Sequence, residues 1–318
     1  MTAKQVWNVI QTTVSEWNED NASRLAASLA YYTLLAIAPL LVLALAIVGL
    51  GFGEEAARGR IAGELTAVVG AQAGKALQDI VANARTPSTG IISSVLSLAV
   101  LVAGASGVFG ELQQSLNTVW GVEPKPGRGL RGFLRDRFLS FTMVMGVAFL
   151  LLVSLIATTL LAAVGRFMAD TLPGGAGLWH VINTLVSLGV TAVLFAVMFK
   201  GVPDVKVAWR SVFVGAFVTA LLFTLGKFLL GLYLGRASVG SGYGAAGSLI
   251  VLVVWVYYSA QILFLGAEFT QVLARTTGSP VEPTANAMPT SAATPEHGLP
   301  KAVSKAVGSR GGFGEAKT

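Results

Sequence analysis

Six stretches of this chain are each long enough and apolar enough to cross a lipid bilayer, and that feature removes most folds from consideration. A hydrocarbon core about 30 Å thick takes roughly 20 residues of helix at 1.5 Å per residue. Runs of that length lie at about 25–51, 89–110, 138–164, 178–199, 211–234 and 245–274. The first three contain no Asp, Glu, Lys, Arg or His; the fourth carries only His180, the fifth only Lys227 and the sixth only Glu268. Lipid offers a backbone no hydrogen-bond partners, so each run must satisfy its own as a helix. The expected fold class is therefore all-α, a polytopic membrane protein with a six-transmembrane-helix bundle over 25–275. The first run starts too far from the N-terminus and is too long for a signal peptide, so it reads as a retained span.

Composition narrows the function classes. Only 12% of residues are charged, against roughly 25% in soluble domains, and the mean hydropathy is +0.70. Cysteine is absent, which excludes disulfides, cysteine-ligated metals and a thiol nucleophile. The net charge of +6 does not point to nucleic acid, because the basic residues sit mainly in the loops, where they set topology. Fifteen Lys and Arg fall on the side holding both termini, five of them between spans two and three (Lys125, Arg128, Arg131, Arg135 and Arg137), against six on the other side. The richer side is expected to be cytoplasmic, with both the N- and C-termini there.

The segments between the runs are also patterned. Val6, Ile10, Val14 and Trp17 share a helical face, with Trp7 beside it; residues 1–24 thus suit either a helix lying in the cytoplasmic interface or one packed on the bundle. Ile61, Leu65, Val68, Leu77 and Ile80 predict an amphipathic helical outer loop between helices 1 and 2. Leu130, Phe133, Leu134 and Phe138, interleaved with arginines, predict a basic lead-in to span three that faces lipid headgroups or simply anchors topology. Residues 276–318, rich in Pro, Ala, Thr, Ser and Gly, read as a disordered cytoplasmic tail. Pro39 is expected to kink span one.

Few motifs suggest chemistry. Gly242, Gly244 and Gly247 match a dinucleotide fingerprint, but they open a membrane helix instead of following a strand, so a tightly packed turn is the better reading. The two histidines, His180 and His297, cannot build a histidine-rich metal site; no metal, no cofactor and no catalytic residue is expected. Charges inside a bilayer cost about 2.5 to 3.5 kcal/mol or more at mid-depth, which makes Lys227 and Glu268 functional candidates. Lys227 shares a face with Ala216, Ala220, Thr224 and Gly231, a small-residue stripe of the kind that packs helices together. Glu268 belongs near the cytoplasmic end, roughly 15 Å of depth from Lys227, with Arg210 or Arg24 as prospective partners. His180, Asn183, Thr184, Ser187 and Thr191 form a polar stripe on span four. It lines an outward-opening cavity or serves interhelical hydrogen bonds; both remain open.

Several of these residues fall in motifs that mark a family. Ala27 to Leu34 (ASLAYYTL) with Pro39-Leu40, Pro203 to Arg210 (PDVKVAWR), Gly226-Lys227, Tyr243-Gly244, Trp255 to Tyr258 (WVYY) and Gly266-Ala267-Glu268 resemble the YihY/BrkB family of bacterial inner-membrane proteins, once mislabelled ribonuclease BN. The resemblance covers roughly residues 10 to 275. It implies six helices, a bacterial plasma membrane location and a suspected role in transport, including lipid export. It implies no catalytic residues, and the chain lacks the His and Asp cluster that a metal-dependent nuclease needs.

The function expected is a transporter-like protein, not an enzyme, that translocates a lipid or other anionic amphiphile through a polar cavity between helices. Lys227, His180, Asn183 and Ser187 are the candidate cavity residues, and Glu268, Asp204, Arg210 and Tyr31 the candidate cytoplasmic-side polar site. The alternative is a non-transporting membrane scaffold or envelope-integrity protein. Membrane lipids are the expected partners and no nucleic acid is; a homo-oligomer is compatible with the pattern.

Overall fold

A computed structural model describes residues 2–53, 91–126, 175–236, 247–278 and 281–290, together with Glu55, Gly59, Gly63, Gly74 and 77–79. Span three, the basic lead-in, the Gly242–Gly247 turn up to Ala246, and nearly all of the outer loop lie outside the described residues. Six helices are described: α1 (Ala3–Glu19), α2 (Ala22–Phe52), α3 (Ile91–Val119), α4 (Gly175–Gly201), α5 (Trp209–Arg236) and α6 (Gly247–Thr276). Four short strands accompany them: β1 (Val122–Pro124), β2 (Val205–Lys206), β3 (Glu282–Pro283) and β4 (Ala287–Pro289).

The N-terminal helix begins on a reciprocal cap. Thr2 Oγ1 accepts from the Gln5 N–H while Gln5 Oε1 accepts from the Thr2 N–H, so two of the first turn's orphan donors are satisfied. It ends at Asp20, and the chain turns through Asn21, whose backbone is left-handed at φ 52°, a conformation Asn tolerates better than most residues. Helix α2 then runs past Pro39 to Phe52 without interruption.

Helix α6 is the hub of the described bundle, packing against α1, α2, α3 and α5. Its seam with α5 is antiparallel and built on small residues. Thr270 of α6 fills the space where a Cβ on Gly215 of α5 would stand, and Thr219 of α5 does the same at Gly266 of α6. Each threonine satisfies its hydroxyl on its own helix: Thr219 donates to the Gly215 carbonyl at 2.7 Å and Thr270 to the Gly266 carbonyl at 2.6 Å. Further along, Gly226 receives the Tyr258 hydroxyl. Small residues let backbones approach closely where lipid supplies no hydrophobic drive between helices.

Away from the tight seam, α5 carries an exposed apolar surface. Phe213, Phe217, Leu221, Leu225, Phe228, Leu229 and Leu232 are all among the exposed large hydrophobics. Leaving seven such side chains half-exposed to water would cost of order 10 kcal/mol at about 1.5 to 3 kcal/mol for each full burial, comparable with the entire stability of a domain. A lipid surround removes that cost. Three described helical stretches, Thr184–Gly201, Trp209–Tyr233 and Leu249–Thr276, are long and apolar enough to cross a membrane.

The end of the bundle where α1 meets the last turns of α6, here the α1 end, is closed by short strands. β1 pairs antiparallel with β4 and β2 with β3, so residues 281–290 stitch the segment after α3 to the segment after α4. Ala287 is buried in the core, Lys125 N–H donates to the Asn286 carbonyl at 3.1 Å and Thr290 N–H to the Gly121 carbonyl at 2.9 Å. The expectation of disorder from 276 onward is thereby corrected over 281–290. These strands are too short to show alternation, and Pro283 and Pro289 suit edge positions; their partners lie more than 70 positions earlier. Residues 291–318 lie outside the described residues.

Candidate functional site

The sequence-derived site residues do not gather at one place. Lys227 is half-buried on α5. The Gly215–Thr270 and Thr219–Gly266 contacts set the register of the α5/α6 seam, which puts Lys227 level with Tyr258, ten residues from Glu268, or about 15 Å along the axis. Ser187 is exposed on α4, its carbonyl accepting from the Thr191 hydroxyl at 2.8 Å. His180 and Asn183 stand on the same helix, but their side chains lie outside the described residues.

At the α1 end the four expected residues separate. Asp204 belongs to a clasp: its Oδ2 accepts from Asn117 Nδ2 at 3.0 Å and Gln113 Nε2 at 3.3 Å, its N–H donates to Asn117 Oδ1 at 2.8 Å, and its carbonyl accepts from the Thr284 N–H at 2.8 Å. That geometry ties α3, the segment after α4 and the C-terminal strands together. Beside it, Lys200 donates to the Val207 carbonyl and lies over the Trp209 ring at 5.4 Å. Arg210 is exposed. Tyr31, 61% exposed, packs edge-on against Tyr32.

Glu268 is fully buried, and neither carboxyl oxygen accepts a hydrogen bond from any N–H or hydroxyl among the described residues. Neither arginine anticipated as its partner is there. What faces it is a second carboxyl, that of Asp20 at the α1–α2 corner, in hydrogen-bonding contact. Two carboxylates have only acceptors, so this contact becomes a hydrogen bond when one of them carries a proton. At the rim, Arg275 Nη1 meets Glu16 Oε1 at 2.9 Å. Burial pushes the Asp20 carboxyl up to about 6; its hydrogen bond to Glu268 and the Arg275 charge oppose that, while Glu16 and Glu19 add to it. Burial likewise raises Glu16, against the pull of Arg275.

The reading of the sequence did not single out Asp20, Glu16 and Arg275 as a group. Asp20 and Glu268 stand 248 positions apart, and the only available signal was that topology assigns both to the same end of the bundle. It also missed a lateral groove of about 320 Å³ between α5 and α6, lined by Leu222, Leu225, Gly226, Leu229, Tyr258, Gln261, Ile262 and Leu265 and reaching Trp17 on α1. Its lining is almost wholly apolar, yet two buried polar atoms there, Trp17 Nε1 and Gln261 Oε1, have no hydrogen-bond partner among the described residues. Lys227, His180, Asn183 and Ser187 do not line it.

A family model described as virulence factor BrkB matches residues 13–290. The chain belongs to the BrkB family. Similar BrkB-type chains include a UPF0761 membrane protein of Mannheimia succiniciproducens, 27% identical over 81% of this chain and 86% of that protein. Another, from Alteromonas mediterranea, is 26% identical over 84% of this chain and 88% of its own length. A third, from Psychrobacter sp., is 26% identical over 84% of this chain but only 48% of that protein, so the chain spans about half the length of some relatives it matches. No solved structure matches the chain. Membership makes this a membrane protein, as the exposed apolar surface of α5 requires. The match to residue 290 also takes in the C-terminal strands that close the α1 end.

Proposed function

We propose that this BrkB-family chain is a six-span transporter-like protein of the bacterial inner membrane, with both termini cytoplasmic, that moves an anionic amphiphile between leaflets. The observation that carries this reading is the groove between α5 and α6. It has the character of an acyl-chain path: Leu222, Leu225 and Leu229 on one wall are exposed apolar side chains, and an amphiphile can enter sideways from the lipid. Trp17 and Gln261 bring an indole and an amide to an otherwise apolar lining, and small-molecule sites characteristically combine an apolar lining with a few polar groups. Lys227 follows the groove residue Gly226 and carries the positive charge that an anionic headgroup would seek. Asp204 has a structural role in this scheme, holding the α1 end together.

The test is movement of fluorescent phospholipid and lysophospholipid, anionic and zwitterionic, across liposomes containing the purified full chain. Wild type should accelerate the anionic species, Leu225→Trp should slow it by filling the groove, and Lys227→Ala should erase the preference for anionic headgroups. Protein-containing and empty vesicles behaving alike for every lipid would remove the reading and leave the scaffold alternative. The exposed Val6, Trp7, Ile10 and Val14 face of α1 favours that alternative only if a stoichiometric partner co-purifies and is lost with residues 1–20.

A further inference from the structure

We propose that Asp20 and Glu268 form a proton-binding site that latches the α1–α2 corner to α6. The site goes beyond the translocation reading and would operate equally in a scaffold.

Three observations carry it. The first is composition: Glu268 is wholly inaccessible, no described N–H or hydroxyl donates to it, and the group in contact with it is another carboxyl. A carboxyl pair of that kind cannot keep two negative charges at hydrogen-bonding distance without a proton between them. The second is the setting. Among the described residues the charged groups acting on the pair are Glu16 and Glu19 from α1 and Arg275 from α6 itself. From α5, the seam residues nearest in register are the uncharged Gly215 and Thr219. On α2, Arg24 is exposed, and buried Ala22 and Ala26 form its first turns. Of the described residues the one cation acting on the pair, Arg275, is already engaged with Glu16, so it offsets the pair's charge only in part. Among the described residues no three carboxylate or imidazole side chains converge as metal ligands do, which leaves a proton as the ligand this geometry fits.

The third observation is mechanical. Asp20 is followed by the left-handed Asn21, the one point at which α1 is joined to α2. Besides this corner, α1 is held to α6 at its C-terminal end by the exposed Arg275–Glu16 pair. With the proton bound, one carboxyl donates to the other and the corner is drawn onto α6. When the proton leaves to the water at the α1 end, two carboxylates face each other and the corner is pushed away. Burial has raised Asp20 to about 6, so it is the first of the two to ionise; its carboxylate then accepts from Glu268, and the corner is released when this second, shared proton leaves at higher pH.

The chain has no cysteine, so spin labels can be placed freely. Labels at Gln11→Cys on α1 and Lys206→Cys on β2, both exposed, should report a narrow distance distribution at acidic pH that broadens as pH rises through the latch. In Glu268→Gln the amide donates to the Asp20 carboxylate, so the distribution should stay narrow throughout; Asp20→Asn should act likewise. Infrared spectra of the unlabelled wild type in nanodiscs should contain a protonated-carboxyl band that shifts in heavy water and disappears over the same pH range, which decides the matter even if a variant fails to fold. Absence of that band in wild type, or a pH-dependent distance that Glu268→Gln leaves unchanged, would overturn the proposal.

Discussion

Asn117 holds Asp204 from both sides: its amide nitrogen donates to Oδ2 at 3.0 Å while its amide oxygen accepts from the Asp204 N–H at 2.8 Å. Asn117 is buried, so truncating it strands a carboxylate oxygen and a backbone donor together. Leaving a buried polar group unsatisfied costs about 1 to 3 kcal/mol, more when charged. Asn117→Ala should therefore lower stability by about 2 to 4 kcal/mol, read as a lower thermal midpoint in detergent, whereas Gln114→Ala, exposed one turn away, should change little.

The C-terminal strands make a matching prediction for truncation. Ending the chain after Gly278 removes β3 and β4 along with the Thr284 N–H that caps Asp204, so it should destabilise the fold and free the segments after α3 and α4. Ending it after Thr290 keeps every one of those bonds. Limited proteolysis near Lys125 and Lys206 should separate the two truncations, with accelerated cleavage only in the shorter chain.

Gly215→Ala would drive a methyl group into Thr270. Overpacking a tight seam costs typically about 1 to 3 kcal/mol, and Thr270→Ala in the same chain should relieve most of it. The double-mutant cycle on thermal stability should show favourable coupling; an additive result would mean the two helices do not meet in this register.

The pH dependence follows from Asp20, whose folded value of about 6 lies above its unfolded 3.8. The folded state therefore binds the proton more tightly, and the stability that Asp20 contributes falls as pH rises from about 4 to about 6. Glu16 is raised as well and adds to the same slope. Amide exchange in α1, followed against pH, should accelerate over that window in wild type and lose most of the dependence in Asp20→Asn. A rise in protection over the same window would contradict the sign.

The Arg275–Glu16 bond is half-exposed on the arginine side, and exposed ion pairs contribute about 0 to 1 kcal/mol. Arg275→Ala should cost no more than that and should do so less in high salt. It should also raise the Glu16 titration further, since Arg275 now holds it down.

The five described helices α2 to α6 were legible in the sequence as runs long and apolar enough for lipid, a length and apolarity that a run of residues either meets or fails. The separation of Lys227 from Glu268 was legible too, since helix direction and rise fix depth. What Glu268 meets was not. Arg210 and Arg24 were reasonable partners by charge and depth, but rotation about the α6 axis decides which neighbour a side chain faces, and that rotation is set by the Gly215–Thr270 and Thr219–Gly266 contacts. Those four residues carry no hydropathy signal. The C-terminal strands escaped for a related reason: their order comes entirely from distant loops, so residues 281–290 show no periodicity of their own.

The meshed glycines and threonines of α5 and α6 bear on how such a protein can move. Sliding one helix past the other by a turn would set Thr270 against Thr219 and Phe223 against Gly266, trading two complementary fits for two collisions. The pair is thus a ratchet with one seated position, a fixed strut inside the bilayer, and any working stroke has to come from the elements hung on it: the corner at Asn21 and the helix that precedes it.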